Sequence, residues 1–138
     1  MTAGYSGTPL PRKLGIAPGL RVAALRAPEG FAAALGPLPE GVGIGSRARG
    51  PLDVIIAFER RRAELARRLP GLINALDPAG GLWVAWPKRA SGVATDITED
   101  VVRDLGLAAG VVDNKVCAID ETWSGLRLVI RLRDRPRR

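Results

Sequence analysis

An amphipathic helix and the apolar strand that follows it, over residues 61–88, constrain the fold more than any other part of the chain. A turn at residues 77–81 separates the helix from the strand at 82–86. Pro70 is expected to kink or interrupt the helix after Leu69, because proline has no backbone N–H. A helix that leads into a buried strand is typical of a parallel α/β sheet. The apolar stripe of the helix is formed by Leu65, Leu69, Leu72, Ile73 and Leu76.

The other segments predict a complete α/β domain around this unit. A weak strand at 42–46 is joined to the stronger strand 52–58 by only about five residues, whereas a parallel crossover normally needs a dozen or more. The weak segment is therefore either an edge strand with an unusual return or no strand. The remaining predicted elements are a helical turn at 11–14, a strand at 21–25, a helix at 28–35, and a closing hairpin with strands at 111–119 and 126–132.

One further helix has a recognisable start and end. Asp96 is predicted to be its N-cap, with Glu99 three residues later completing a capping box. Gly110 is predicted to end the helix. Its inner face is predicted to consist of Ile97, Val101, Val102, Leu105 and Ala109.

Length and composition indicate one domain. The 138 residues, 46% of them hydrophobic, suit a single core. We expect an N-terminal arm at 1–20, one α/β domain at 21–132 and a basic tail at 133–138. Apolar runs are too short to cross a bilayer and the N-terminus does not resemble a secretory signal, so we expect a cytoplasmic protein without a membrane partner.

Arginine dominates the charge of the chain. There are eighteen Arg and three Lys, and the net charge is +7. Residues 131–138 alone contribute five Arg and one Asp, or +4 of that total. Because Arg is accompanied by much Ala and Gly, the bias is as typical of a GC-rich genome as of phosphate binding. Nucleic-acid binding through the tail stays a weaker alternative.

The sequence excludes several common kinds of site. Histidine is absent, which removes the usual general base and the usual transition-metal ligand. Cys117 is the only cysteine, so the chain has neither an internal disulfide nor the ligands of a structural zinc site, and no metal is expected. Cys117 lies in an apolar run and is predicted to be a small buried hydrophobe.

The order of elements resembles a shortened class I methyltransferase domain over roughly residues 14–132. The resemblance rests on the segments 18–22, 53–56 and 76–84 together with the final helix and hairpin. It implies a Rossmann-like three-layer α/β sandwich with a mostly parallel sheet of five to six strands and a C-terminal antiparallel hairpin. Segments 4–9, 86–88 and 120–127 also resemble a bacterial family, the domain of unknown function numbered three thousand and fifty-two, which implies no established activity.

Two features of the methyltransferase family are missing from the chain. That family holds its nucleoside cofactor with a Gly-rich turn after the first strand and with an acidic residue at the end of the second strand. Here the first turn, residues 25–31, contains the single glycine Gly30 and also Pro28, which has no N–H to donate. Segment 45–47 contains no carboxylate. We therefore expect no S-adenosylmethionine binding in the usual mode, and no cofactor.

A ligand site is predicted from topology alone. Open α/β sheets bind ligands at the carboxyl ends of their strands, and the strands that end at Trp86 and near Ile119 place two turns at that edge if they are parallel. The alternative is that the two Trp pack the core and the polar residues only form turns. The candidate ligand-binding residues are Trp86, Lys88, Ser91, Asp120, Glu121, Thr122, Trp123 and Ser124.

These observations favour a non-catalytic module on a degenerate methyltransferase-like fold, which binds a small molecule or a protein. One alternative is a small enzyme, of transferase or hydrolase type, that uses Lys88 with Asp120 or Glu121 as acid and base. The other is a nucleic-acid accessory protein. The sequence does not indicate the oligomeric state.

Overall fold

The computed structural model describes residues 7–136. Short 3₁₀ turns follow the fourth strand, at Arg89–Ser91, and the last strand, at Leu132–Asp134. The main elements are α1 (Leu10–Lys13), β1 (Val22–Leu25), α2 (Phe31–Leu35), β2 (Ile44–Gly45), β3 (Leu52–Phe58), α3 (Arg62–Ala75), β4 (Leu76–Pro87), α4 (Glu99–Ala108), β5 (Val111–Ala118) and β6 (Trp123–Ile130).

The six strands form one sheet in the order β2-β1-β3-β4-β6-β5. The first four strands in that order are parallel, and β6 runs antiparallel between β4 and β5. Strand β5 is therefore parallel to β4, as the predicted ligand site required. The predicted α/β architecture is confirmed: a mostly parallel Rossmann-like sheet with a C-terminal antiparallel pair.

Helices cover both faces of the sheet, which makes three layers. One face packs against α3 and α4 through Leu65, Leu69 and Val102. The opposite face packs against α1, α2 and the segment between α1 and β1. Central strands covered on both faces must be apolar on both faces, which explains the continuous runs of β3 and β4.

The chain changes direction across the sheet between β1 and β3. From β1 it passes through α2 to β2 on one side, whereas β3 is followed through α3 by β4 on the other side. Such a switch point leaves a crevice at the carboxyl ends of the two strands. We call the edge where the parallel strands end the carboxyl edge.

The weak strand is an edge strand, and its short return has a geometric explanation. Strand β2 contains only Ile44 and Gly45, which lie opposite Val22 and Ala23 of β1. Because β2 ends beside the start of β1, the chain travels back only a short distance before β3 begins at Leu52. A crossover helix is not required.

The boundary between α3 and β4 differs from its prediction. The helix continues past Pro70 to Ala75, and Leu76 is the first residue of β4. Pro70 has no N–H to donate to the carbonyl of Ala66, four residues earlier. Both residues are exposed, so water can bind that carbonyl instead. The predicted turn at 77–81 is an irregularity in the pairing of β4 with β3.

The N-cap prediction for α4 is wrong. Thr98 caps the helix, accepting a hydrogen bond from the backbone N–H of Val101 at 3.2 Å. Asp96 instead accepts from the N–H of Arg62 at 2.7 Å, at the start of α3. Because the loop before α4 is held against α3 in this way, the helix begins at Glu99.

The packed part of the chain begins before β1. Leu14 is fully buried, and its carbonyl accepts a hydrogen bond from Trp83 Nε1 at 2.9 Å. Half of the segment predicted as an arm therefore covers the sheet. No helix within residues 7–136 is long and apolar enough to span a bilayer.

Candidate functional site

A cavity of about 840 Å³ opens at the carboxyl edge, at the switch point between β1 and β3. We call it the switch-point cavity. Its walls come from the ends of both strands, the start of α3, the loop before α4 and the start of β6. Its lining includes Arg26, Pro28, Phe58, Glu59, Arg60, Arg61, Glu64, Thr95, Asp96 and Trp123.

The carboxylate of Glu59 is the buried charge of this cavity, and the residue is only 2% exposed. Glu59 follows β3 directly, and its N–H donates to the carbonyl of Ala85 at 2.8 Å. One carboxylate oxygen accepts from Arg68 Nη1 at 2.8 Å, and the other accepts from Arg26 Nη2. Both oxygens are thus paired with cations, as a buried charge requires.

The network extends outward from Glu59 to solvent. Arg68 Nη1 also lies 3.3 Å from Glu64 Oε1, one helical turn earlier on α3. The side chains of Arg26 and Arg68 are 41% and 28% exposed, so they connect the buried carboxylate to the surface. Three elements, β1, β3 and α3, are joined through one carboxylate.

Arg26 also has an unusual backbone conformation. Its φ is +55°, and it is the only non-glycine residue with positive φ among residues 7–136. This region is unfavourable for side chains with a Cβ, and such residues cluster at functional sites. At the end of β1, this conformation accompanies the ion pair between Arg26 and Glu59.

Aromatic rings form the apolar wall of the cavity. Phe58 packs edge-to-face on Trp123, with ring centroids 5.1 Å apart and an interplanar angle of 85°. Phe31 also packs edge-to-face on Phe58, with ring centroids 5.0 Å apart. Phe58 is buried by these contacts, and Trp123 is half-buried at the edge of the wall.

The opposite wall is polar and is held to the start of α3. Thr95 Oγ1 donates to the carbonyl of Arg60 at 2.7 Å and accepts from Ile97 N. The carboxylate of Asp96 accepts from the N–H of Arg62. Within residues 7–136 the guanidinium groups of Arg60 and Arg61 form no ion pair, and both side chains are exposed. The unpaired groups of the cavity are therefore chiefly cationic.

The residues predicted as a ligand site meet at a second place on the carboxyl edge. We call Lys88, Ser91 and residues 120–122 the Lys88 corner. Lys88 donates twice to the turn after β5: its N–H to the carbonyl of Thr122 and its Nζ to the carbonyl of Asp120, both at 2.7 Å. The structure thus brings the two predicted turns together.

Polar groups at the Lys88 corner mostly bind the backbone of their own turns. Asp120 Oδ1 accepts from the N–H groups of Thr122 and Trp123, each at 2.8 Å. Ser91 Oγ donates to the carbonyl of Lys88 at 2.6 Å and accepts from Val93 N. Glu121 is exposed. Lys88 Nζ bonds a carbonyl, and among residues 7–136 it forms no ion pair with a carboxylate.

The two tryptophans of the predicted site lie on opposite faces of the sheet. Trp86 is 7% exposed and belongs to the core beneath α3 and α4. Trp123 packs with Phe58 on the other face. In the register of β4 with β6, Trp86 lies opposite Ser124 and Pro87 opposite Trp123, so side-chain alternation separates the two indoles. The ligand-binding role of the eight residues stays a prediction, and Trp123 alone lines the switch-point cavity.

Cys117 is half-buried on β5, near the Lys88 corner. Burial raises the pKa of its thiol, although the positive charges of Lys13, Lys115 and Lys88 act in the opposite direction. A thiol with a raised pKa is a weak nucleophile at neutral pH. Within residues 7–136, no three His, Cys, Asp or Glu side chains come close enough to hold a metal ion.

Sequence reasoning missed Arg26, Glu59, Arg60 and Arg61. A signal for Glu59 was present, since it is a carboxylate placed directly after an apolar parallel strand. Parallel strands end at the ligand-binding edge, so that position favours function. Arg26 has the equivalent position after β1. Its pairing with Glu59, 33 residues later, has no local signature.

Solved structures with a similar fold include several methyltransferases and a pericyclic reaction enzyme. Magnesium protoporphyrin IX methyltransferase from Synechocystis PCC 6803, with bound S-adenosylhomocysteine, aligns at a TM-score of 0.54 and 13% identity over 83% of this chain and 75% of its own. A putative methyltransferase from Thermoplasma acidophilum aligns at 0.56 and 8% identity over 96% and 77%. The mitomycin 7-O-methyltransferase aligns at 0.54 and 13% identity over 82% of this chain and 42% of its own.

Sequence comparison does not assign the chain to a family. No family model matches the chain, and no curated protein matches it significantly. The three methyltransferases are 8–13% identical to this chain, so the likeness shows the fold alone. The chain therefore has the fold of a class I methyltransferase, with a charged and aromatic cavity at its switch point.

Proposed function

We propose that the chain is a non-catalytic small-ligand-binding module with a methyltransferase-like fold, and that its ligand occupies the switch-point cavity. The main support for this proposal is the ion pair between Arg26 and Glu59, which joins the ends of β1 and β3 at the cavity wall. In this fold class the same crevice is where ligands bind.

The turn after β1 supports a ligand other than S-adenosylmethionine. A Gly-rich turn lets backbone N–H groups approach a nucleoside cofactor. Here the turn contains Arg26 and Pro28, and α2 is only five residues long. If a cofactor between the ends of the two strands separated Arg26 from Glu59, it would leave a buried carboxylate with one partner fewer, which is costly.

The cavity walls support a planar ligand that carries a negative charge. Phe58 and Trp123 offer an apolar surface to a ring, and Arg60 and Arg61 offer unpaired cations across the cavity. The carboxylates of Glu59 and Glu64 are already paired with arginines, and the third carboxylate of the lining, Asp96, accepts the backbone N–H of Arg62. A flat carboxylate of the size of 2-naphthoate has the matching distribution of charge.

Calorimetry with S-adenosylmethionine tests the exclusion of the family cofactor. We expect no dissociation constant below about 100 μM, which corresponds to about 5.5 kcal/mol of binding free energy. Tighter binding would contradict the proposal and favour the second candidate, a methyltransferase. That candidate rests on the fold and on the S-adenosylhomocysteine bound by the Synechocystis enzyme.

Fluorescence titration with 2-naphthoate tests the site itself. We expect saturable quenching of Trp123, with weaker binding in Arg60→Gln and Arg61→Gln. Arg89→Gln is the matched control, because Arg89 is an exposed arginine that follows Lys88 and lies outside the cavity. Equal weakening in Arg89→Gln, or quenching that persists in Trp123→Phe, would place the probe elsewhere and contradict the proposal.

A further inference from the structure

A second depression, of about 530 Å³, lies on the α3 side of the carboxyl edge. We call it the arginine groove. Its walls are the segment after β2 and the middle of α3, and the buried Leu25 and Leu72 also line it. Four arginines surround it: Arg26, Arg47, Arg67 and Arg68.

The four arginines fall into two pairs. Arg26 and Arg68 are held by Glu59, and Arg68 also by Glu64. Arg47 and Arg67 are exposed, and within residues 7–136 neither forms an ion pair. No carboxylate of the described chain lines the groove. The groove therefore contains two cations without a counter-charge, Arg47 and Arg67, beside two that are held by carboxylates, Arg26 and Arg68.

We propose that the arginine groove binds the phosphate group of a small phosphomonoester. A phosphomonoester carries a charge of about −1.5 to −2 at neutral pH, which matches the two unpaired guanidinium groups. Guanidinium donates two parallel hydrogen bonds to phosphate oxygens, so Arg47 and Arg67 can hold the group from opposite walls. Ser46 lines the same groove, and its hydroxyl can supply a neutral donor.

The shape of the groove favours a small phosphate over a nucleic acid. Arg47 and Arg67 lie in one depression of about 530 Å³ between α3 and the segment after β2, a size that suits one phosphate group better than the successive phosphates of a nucleic-acid backbone. Arg26 lines both this groove and the switch-point cavity. The groove proposal rests on its own residues and does not depend on the ligand of the cavity.

Side-chain NMR of the arginine Nε–H groups tests the groove. The probes are phenyl phosphate and inorganic phosphate near pH 7.5, where both are mostly dianions because the second pKa of a phosphomonoester is about 6. We expect saturable shifts of the Arg47 and Arg67 signals with both probes. Arg47→Gln and Arg67→Gln should each weaken binding about tenfold, the loss of one charge-assisted contact.

Arg12→Gln is the matched control, because it removes the same charge from an exposed arginine on α1, outside the groove. It should change affinity less than about twofold. Absence of saturable shifts up to about 10 mM phosphate, or equal weakening in Arg12→Gln, would overturn the proposal. Salt-dependent binding of a short single-stranded oligonucleotide through Arg47 and Arg67, without binding of phenyl phosphate, would also overturn it. Quenching by 2-naphthoate reports the switch-point cavity separately.

Discussion

At the Lys88 corner the polar side chains bind backbone groups of the turns, whereas in the switch-point cavity the buried carboxylate of Glu59 binds two charged side chains from other elements. Asp120 accepts from residues two and three positions later. Glu59 instead pairs with Arg26, 33 positions earlier, on another strand. Local hydrogen bonds stabilise a turn. A buried charge that is paired across strands forms only when the whole fold is in place. Because Glu59 is paired with Arg26 and Arg68, the neighbouring Arg60 stays available to a ligand.

The largest expected effect comes from the buried carboxylate. Glu59→Ala should lower the free energy of unfolding by about 3 kcal/mol, near the lower limit for losing one partner of a buried ion pair, because Arg26 and Arg68 can still reach water. Urea denaturation measures the change. Glu64→Ala is the control, since its pair is exposed and should contribute at most about 0.5 kcal/mol. Equal losses would contradict the central role of Glu59.

The two tryptophans should respond differently to replacement by phenylalanine. Trp86→Phe leaves a void in the core beneath α3 and α4 and should cost about 2 kcal/mol of unfolding free energy. Trp123→Phe keeps an apolar ring at a half-buried position and should cost less than about 1 kcal/mol. Thermal denaturation compares the two variants. A larger loss in Trp123→Phe would mean that Trp123 is a core residue and not a cavity wall.

Much of the fold could be predicted from sequence because its signals are periodic and local. Strand β3 has the predicted bounds, and helix α3 keeps its apolar stripe except for Leu76. The cap of α4 was misassigned because Asp96 and Thr98 both suit an N-cap, and the choice depends on a tertiary bond to Arg62. The Lys88 corner could be predicted because β4 and β5 end at one edge. The Arg26–Glu59 pair could not, since nothing local connects the two residues.

Of the two acidic residues in the turn at the Lys88 corner, Asp120 should stabilise the turn and Glu121 should not. Asp120→Ala removes the acceptor of two backbone hydrogen bonds and should cost about 1 kcal/mol of unfolding free energy. Glu121→Ala is the matched control and should change stability by less than about 0.5 kcal/mol, because Glu121 is exposed. If instead Asp120→Ala keeps stability but abolishes 2-naphthoate binding, the corner and not the cavity is the ligand site.

The smallest expected effect concerns Cys117. Because burial raises the pKa of its thiol, alkylation by iodoacetamide should be slower than that of a free thiol at neutral pH and should rise only at alkaline pH. Lys88→Ala removes one of the positive charges that oppose this shift, so it should move the pH profile slightly further upward. Fast alkylation at neutral pH would indicate a reactive thiolate near the Lys88 corner.

A crystallographic screen of small planar carboxylates, soaked into crystals of the full chain, tests whether the switch-point cavity is the ligand site. We expect density in the cavity, with the ring against Phe58 and Trp123 and the carboxylate near Arg60 or Arg61. The ion pair between Arg26 and Glu59 should stay intact in those complexes. Density confined to the Lys88 corner, or a ligand that separates Arg26 from Glu59, would show that the proposed site is wrong.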